Sequence, residues 1–204
     1  MKRLIEWLER HRLVTLMMAA VFYLSVVVFH DEVTRLAIWF RAYLGVSGYN
    51  LFFTVVSGIT LALFLYYTIN QIRMKGRRMV KSISLFVTSG LILLFYLTAL
   101  VYNIEAVHFF QYMVLAVFLF PLLRSYGETV FWVTMLGVLD ELYQYTILTP
   151  FFRYFDFNDI LLNLLGAGLG VVMIFICCEI PARRRRWYRL PSVWFLSILV
   201  PLFA

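Results

Sequence analysis

Long apolar stretches separated by short polar joins run along nearly the whole chain. Six of them, residues 13–29, 50–69, 82–102, 104–123, 128–148 and 157–178, reach the roughly 17–25 residues that a bilayer-crossing helix needs. Glycine and proline punctuate the joins, at Gly45, Gly48, Gly76, Gly127 and Pro150. Between the first two stretches, Val33, Leu36, Phe40, Tyr43 and Leu44 recur at helical spacing with Arg35 and Arg41 among them. That spacing predicts a short amphipathic helix at the outer interface. Connecting two spans is its expected role, and shaping an opening for lipid is the second reading. The tail, residues 187–204, has an apolar part that starts only at Leu190 and contains Pro191 and Pro201. It reads as a re-entrant or interfacial piece, or as a thin seventh span. The expected fold is therefore all-α, a polytopic transmembrane bundle of six spans plus a short C-terminal hydrophobic segment. Residues 1–103 hold helices one to three, 104–178 a three-helix core, and 179–204 a basic loop and the tail.

Composition supports this reading. Of 204 residues, 63% are hydrophobic and 14% charged, with a mean hydropathy of +0.87, too few polar groups to clothe a soluble domain. The basic start (Lys2, Arg3, Arg10, Arg12) and the apolar run after it imitate a signal peptide. Val26, Val27 and Val28 lead into Phe29, His30 and Asp31 with no small-x-small cleavage site, so the run is expected to stay as the first span. Cys177 and Cys178 are adjacent, which excludes a disulfide framework. Two apolar-face thiols are expected, with acylation the alternative.

Charge sets direction. With the N-terminus inside and six helices alternating, 15 of the 18 Lys and Arg residues fall on the cytoplasmic side, and only Arg35, Arg41 and Arg153 outside. That split follows the positive-inside rule. The net charge of +7 thus reports topology, and no nucleic-acid partner is expected.

Ionisable groups inside spans are costly and mark function. Here they gather in one band. The fourth stretch opens with Glu105, His108, Gln111 and Tyr112, the fifth closes with Asp140, Glu141 and Gln144, and the join to the sixth carries Arg153, Asp156, Asp159 and Asn163. Steps of three and four put Glu105, His108, Gln111 and Tyr112 on one stripe, and Asp159 and Asn163 on another that continues through Gly166 and Gly170. The two glycines form a G-x-x-x-G surface where a neighbouring backbone approaches closely. At the α-helical rise, Glu105 to Gln111 descends roughly 9 Å, so three helices present polar groups at one level near their outer ends. Residues 113–123, 131–139 and 164–176 carry no charge. The expected site is a pocket with an apolar floor, open outward.

The string Glu105-x-x-His108-Phe-x-x-Tyr112, then Glu141-x-x-Gln144, then Arg153-x-x-Asp156-x-x-Asp159-x-x-x-Asn163-x-x-Gly166 resembles the VanZ-like family, whose founding member is associated with low-level teicoplanin resistance. The resemblance covers about residues 100–175 and leaves the first three stretches unmatched. Gln111 departs from it, because an acidic residue often precedes the tyrosine in relatives. The resemblance implies a bacterial membrane protein of the cell envelope and points to these residues rather than to a reaction.

Three readings follow. In the first, an enzyme handles an envelope lipid or lipid-linked cell-wall intermediate by hydrolysis or group transfer. His108 is its acid or base, oriented by Glu105 or Glu141, with Asp140 and Gln144 beside it. Arg153 clamps a phosphate or carboxylate headgroup, with Tyr112, Asp156, Asp159 and Asn163 around it. Asp156 and Asp159 hold Arg153 or bind Mg²⁺, Mn²⁺ or Zn²⁺, although no H-E-x-x-H spacing supports a metal. In the second, a non-catalytic protein binds a lipid or an antibiotic. An ion-coupled transporter is the third, disfavoured by the charge-free inner halves of the last three stretches. Packing alone would use Ser, Thr or Asn at lower desolvation cost than this many carboxylates.

Overall fold

The computed structural model describes residues 1–74, 78–98, 107–148, 155–178 and 190–202. Among these residues all regular structure is helical: α1 (Lys2–Arg10), α2 (Arg12–Val28), α3 (His30–Met74), α4 (Arg78–Thr98), α5 (Val107–Leu123), α6 (Tyr126–Ile147), α7 (Phe157–Cys178) and α8 (Pro191–Leu202). Among the described residues three helices, α3, α4 and α7, are long and apolar enough to cross a bilayer, and the bent pair α1–α2 makes a fourth if it counts as one span. The six-span expectation is thus met only in part. The described part of α5 is apolar but only 17 residues long, and the carboxyl groups of α6 lower its apolarity.

α7 is the axis of the bundle. Of its most apolar stretch 61% is buried by the rest of the chain, against 6% for α3 and 17% for α4. Glycine makes that position possible. A Cβ on Gly166 would stand 2.6 Å from the Phe109 carbonyl oxygen, and one on Gly170 would stand 2.6 Å from that of Met113. The α5 backbone therefore lies directly on the G-x-x-x-G surface, as expected of small residues at membrane helix crossings. α2 covers α5 from the other side, where Ala19 packs with Tyr112, Leu115 and Ala116. α4 contributes Ile92 to a cluster with Phe109, Leu162 and Leu169. The outward faces of α3 and α4, including Leu63, Tyr66, Phe86 and Leu97, stay uncovered, as suits helices whose solvent is lipid.

The N-terminal helix was not anticipated. α1 meets α2 at 105° and drives Ile5 and Leu8 into a cluster with Phe120, Ile174, Ile176 and both cysteines. Polar clamps hold it there. Arg124 pairs with Glu9 at 2.8 Å, and Arg12 donates to the Leu122 carbonyl at 3.0 Å. That carbonyl is in the last turn of α5, where no intrahelical donor remains. Arg124 itself, with φ 54°, ends α5 in the left-handed conformation. Cys177 and Cys178 are free and buried.

The predicted interfacial helix and the second span prove to be one element, α3, broken at Gly45 with φ 70° and ψ 167°, a backbone conformation that favours glycine. Around the break, Phe40 meets Tyr49, Phe52 and Phe53 at ring-centroid distances of 6.4, 5.1 and 6.3 Å. Among the described residues of the tail there is one helix, α8, of 12 residues, shorter than a span requires.

Candidate functional site

The cluster is built by α5, α6 and α7, and its groups sort by depth. His108, Tyr112, Asp140, Glu141, Gln144 and Asn163 are buried, whereas Gln111, Asp156 and Asp159 are only half-buried. Glu105 and Arg153 lie outside the described residues.

His108 sits in the first turn of α5 and turns to α7. Its Nδ1 is 3.1 Å from Asn163 Oδ1, and its Nε2 is 3.7 Å from Asp159 Oδ2. Asp159 and Asn163 are one helical turn apart, so a single face of α7 addresses both ring nitrogens. Of the two expected orienters, Glu105 lies outside the described residues. Glu141 instead accepts from Gln144 Nε2 at 3.2 Å on its own helix, because i and i+3 side chains of α6 meet more readily than groups across the bundle.

One turn inward, Tyr112 stacks under His108 with centroids 6.3 Å apart. The Tyr112 hydroxyl donates to Asp140 Oδ2 at 3.1 Å, linking α5 to α6. Asn163 reaches α6 by another route, for Gly137 leaves the space that its amide occupies. A Cβ at position 137 would meet Asn163 Nδ2 at 2.6 Å. Two buried atoms, Asp140 Oδ1 and Asn163 Nδ2, have no hydrogen-bond partner among the described residues. Such orphans are rare in folded proteins. At the rim, Asp156 Oδ1 accepts the Asn158 N–H at 2.8 Å and so caps α7. That is an additional task to the one expected of it. Among the described residues no three His, Cys, Asp or Glu side chains are placed to hold one metal ion.

The family model of VanZ/LLP1 matches residues 12–178. The chain belongs to the VanZ/LLP1 family. No curated protein and no solved structure matches it. The family match extends well beyond residues 100–175, and so the expectation that the first three stretches stand apart from the resemblance is corrected. In this VanZ/LLP1 protein α2 and α3 belong to the same unit, consistent with their packing against the polar helices. Its family and its apolar helices make it a membrane protein.

Two polar residues of this VanZ/LLP1 chain escaped the sequence reading. His30, first residue of α3, places its ring 6.3 Å from that of His108. The usable signal was an imidazole just past the C-terminal end of the first apolar stretch. Glu128, buried at the opposite end of α6, is the other. It accepts from Trp132 Nε1 at 3.0 Å and from the Ser192 N–H at 3.2 Å, and it also pairs with the Ser192 hydroxyl. A carboxyl three residues after the N-cap Ser125 looks like a capping box, which hid its use as the anchor of α8.

Proposed function

We propose that the protein is a multi-pass component of the bacterial cytoplasmic membrane with its N-terminus inside. It acts at the extracytoplasmic face on an envelope lipid or lipid-linked cell-wall intermediate, as a hydrolase or transferase. Six spans, built on α2, the second part of α3, α4, α5, α6 and α7, are supported by the 15-to-3 division of basic residues. A link to glycopeptide resistance, teicoplanin included, is part of the same reading and rests on family membership.

The observation that carries the enzymatic reading is the fixing of His108 by α7. With Nδ1 directed at the Asn163 carbonyl oxygen, that nitrogen holds the hydrogen and Nε2 keeps its lone pair. Asp159, near Nε2, favours the ring once protonated. In this reading a water, or an acceptor hydroxyl, gives its proton to Nε2 as its oxygen attacks an ester or phosphoester. The proton then passes to the departing oxygen, which closes the balance. Arg153 and Asp156 would engage the headgroup.

The test is purified protein in nanodiscs, offered phospholipids and lipid-linked cell-wall precursors. Turnover by wild type that His108→Ala abolishes supports the reading, and no such turnover rejects it.

A second reading, a non-catalytic lipid or antibiotic binder, draws on a different observation. Among the described residues His108 is bonded to no serine, threonine or cysteine, and Tyr112 bonds to Asp140 and Gln144 to Glu141 rather than to the imidazole. Native mass spectrometry should then find a co-purifying lipid that Arg153→Ala loses. Resistance that survives the double change His108→Gln, Glu141→Gln would favour this reading over catalysis.

A further inference from the structure

Beyond the groups on α5, α6 and α7, α3 also reaches this cluster. α2 ends at Val28 and α3 begins at His30, so the chain reverses at the outer end of the first apolar stretch. This turn sets the His30 ring over the cluster, 6.3 Å from His108 and tilted 46° to it. The two rings differ in access, for His30 is half-buried and His108 is buried. Their separation is too long for a direct bond between ring nitrogens and suits one bridging water.

We propose that His30 is a member of the site, a positioning residue that governs when His108 carries a proton. The inference rests on the reading that this cluster is the functional site. Two imidazoles this close in a partly desolvated setting titrate as a pair, since a charge on one opposes a charge on the other. Among the described residues, the groups facing them come from α3, α5, α6 and α7. Asp159 and Asn163 address His108 from α7, Tyr112 lies beneath it on α5, and Asp140 of α6 and Asp156 ahead of α7 act on it electrostatically. His30 is acted on by Asp140, His108 and its own neighbour Asp31, the last of which Arg35 holds at 2.6 Å. His30 is therefore the outermost imidazole of the cluster. It also opens the amphipathic first half of α3, which displays Leu36, Trp39 and Tyr43. A change in how that segment lies would reach His108 through His30.

The chain has three histidines, so histidine-selective ¹⁵N labelling of the full-length protein in nanodiscs yields three sets of ring signals. His11, stacked on Trp7 at 4.7 Å and remote from the cluster, serves as reference and as a monitor of folding. In His30→Gln the pH at which His108 takes up its proton should move by about half a unit or more, with His11 unchanged. The reciprocal variant, His108→Gln, should move His30 by a similar amount, because coupling is mutual. If both folded variants leave the remaining cluster histidine where it was, the proposal is overturned. If one variant loses its His11 signature, the other decides alone. Turnover plays no part in this readout, so the enzymatic reading and the pairing fail separately.

Discussion

The Tyr112 phenol donates to Oδ2 of Asp140 across 3.1 Å, and both residues are closed to solvent. Removing the hydroxyl deprives a buried carboxyl of its one described partner, since Oδ1 already has none. Tyr112→Phe should lower stability by about 1–3 kcal/mol, the penalty range for an unsatisfied buried group. Tyr23→Phe is the comparison. Its hydroxyl donates to the Leu136 carbonyl at 3.0 Å in a half-buried setting, and that carbonyl keeps a second lone pair for its helix. A smaller loss, roughly 0.5–1.5 kcal/mol, is expected there. Thermal unfolding in one detergent ranks the two.

The α5–α7 crossing gives a prediction with an internal control. Gly166→Ala and Gly170→Ala each put a methyl group 2.6 Å from a backbone oxygen of α5, which has no side-chain freedom with which to yield. Gly168→Ala meets nothing within 4 Å. The first two should cost about 1–3 kcal/mol, and the third nothing measurable or a slight gain. Equal effects at all three positions in a thermal-stability series would refute the close crossing.

Helix positions were largely legible because apolar length is a strong signal. The sixth stretch, residues 157–178, and α7 have the same bounds, and the G-x-x-x-G motif named the face that packs. The shared level of His108, Asp140, Glu141, Asp159 and Asn163 was legible too, since helical periodicity fixes which residues share a face. Partners were not. Whether His108 meets Glu141 on α6 or Asn163 on α7 depends on the rotation of α5, which periodicity leaves free. α1 was hidden for another reason. Only Ile5 and Leu8 of that helix are buried, and the basic residues around them read as topology signals. His30 stayed hidden because its role arises from a chain reversal, which no local pattern encodes.

At the other end of α6, Glu128 gathers donors from Trp132 and Ser192, and Phe195 of α8 packs on Phe131 and Trp132 at 6.1 and 5.3 Å. Glu128→Ala leaves those donors without their acceptor and should release α8. In a Phe195→Cys background, maleimide labelling should speed up several-fold on adding Glu128→Ala. The native cysteines, being buried, should contribute little to the signal. Unchanged labelling would show that α8 stays in place without the carboxyl and would refute the anchor.

Orientation is open to the same chemistry in intact cells. Asp31→Cys should react with a membrane-impermeant maleimide, and Ser125→Cys should react only after the membrane is opened. The reverse pattern would overturn the inside placement of the basic residues.

Gly137 and Asn163 provide a test of the site's geometry that needs no substrate. A Cβ on Gly137 falls 2.6 Å from Asn163 Nδ2 and 2.9 Å from Asn163 Cβ, so Gly137→Ala alone must push Asn163 aside. Asn163 holds His108, and the displacement should therefore also disturb the His108 ring signals. Asn163→Ala alone removes that bond and leaves a small void beside Gly137. In the double variant the new methyl group occupies part of that void. The two losses should therefore not add, and a coupling of about 1–2 kcal/mol is expected, within the range for residues in contact. Strict additivity would mean that α6 and α7 are further apart at this level than the contact requires, and the convergence of Asp140, His108 and Asn163 would then fail with it.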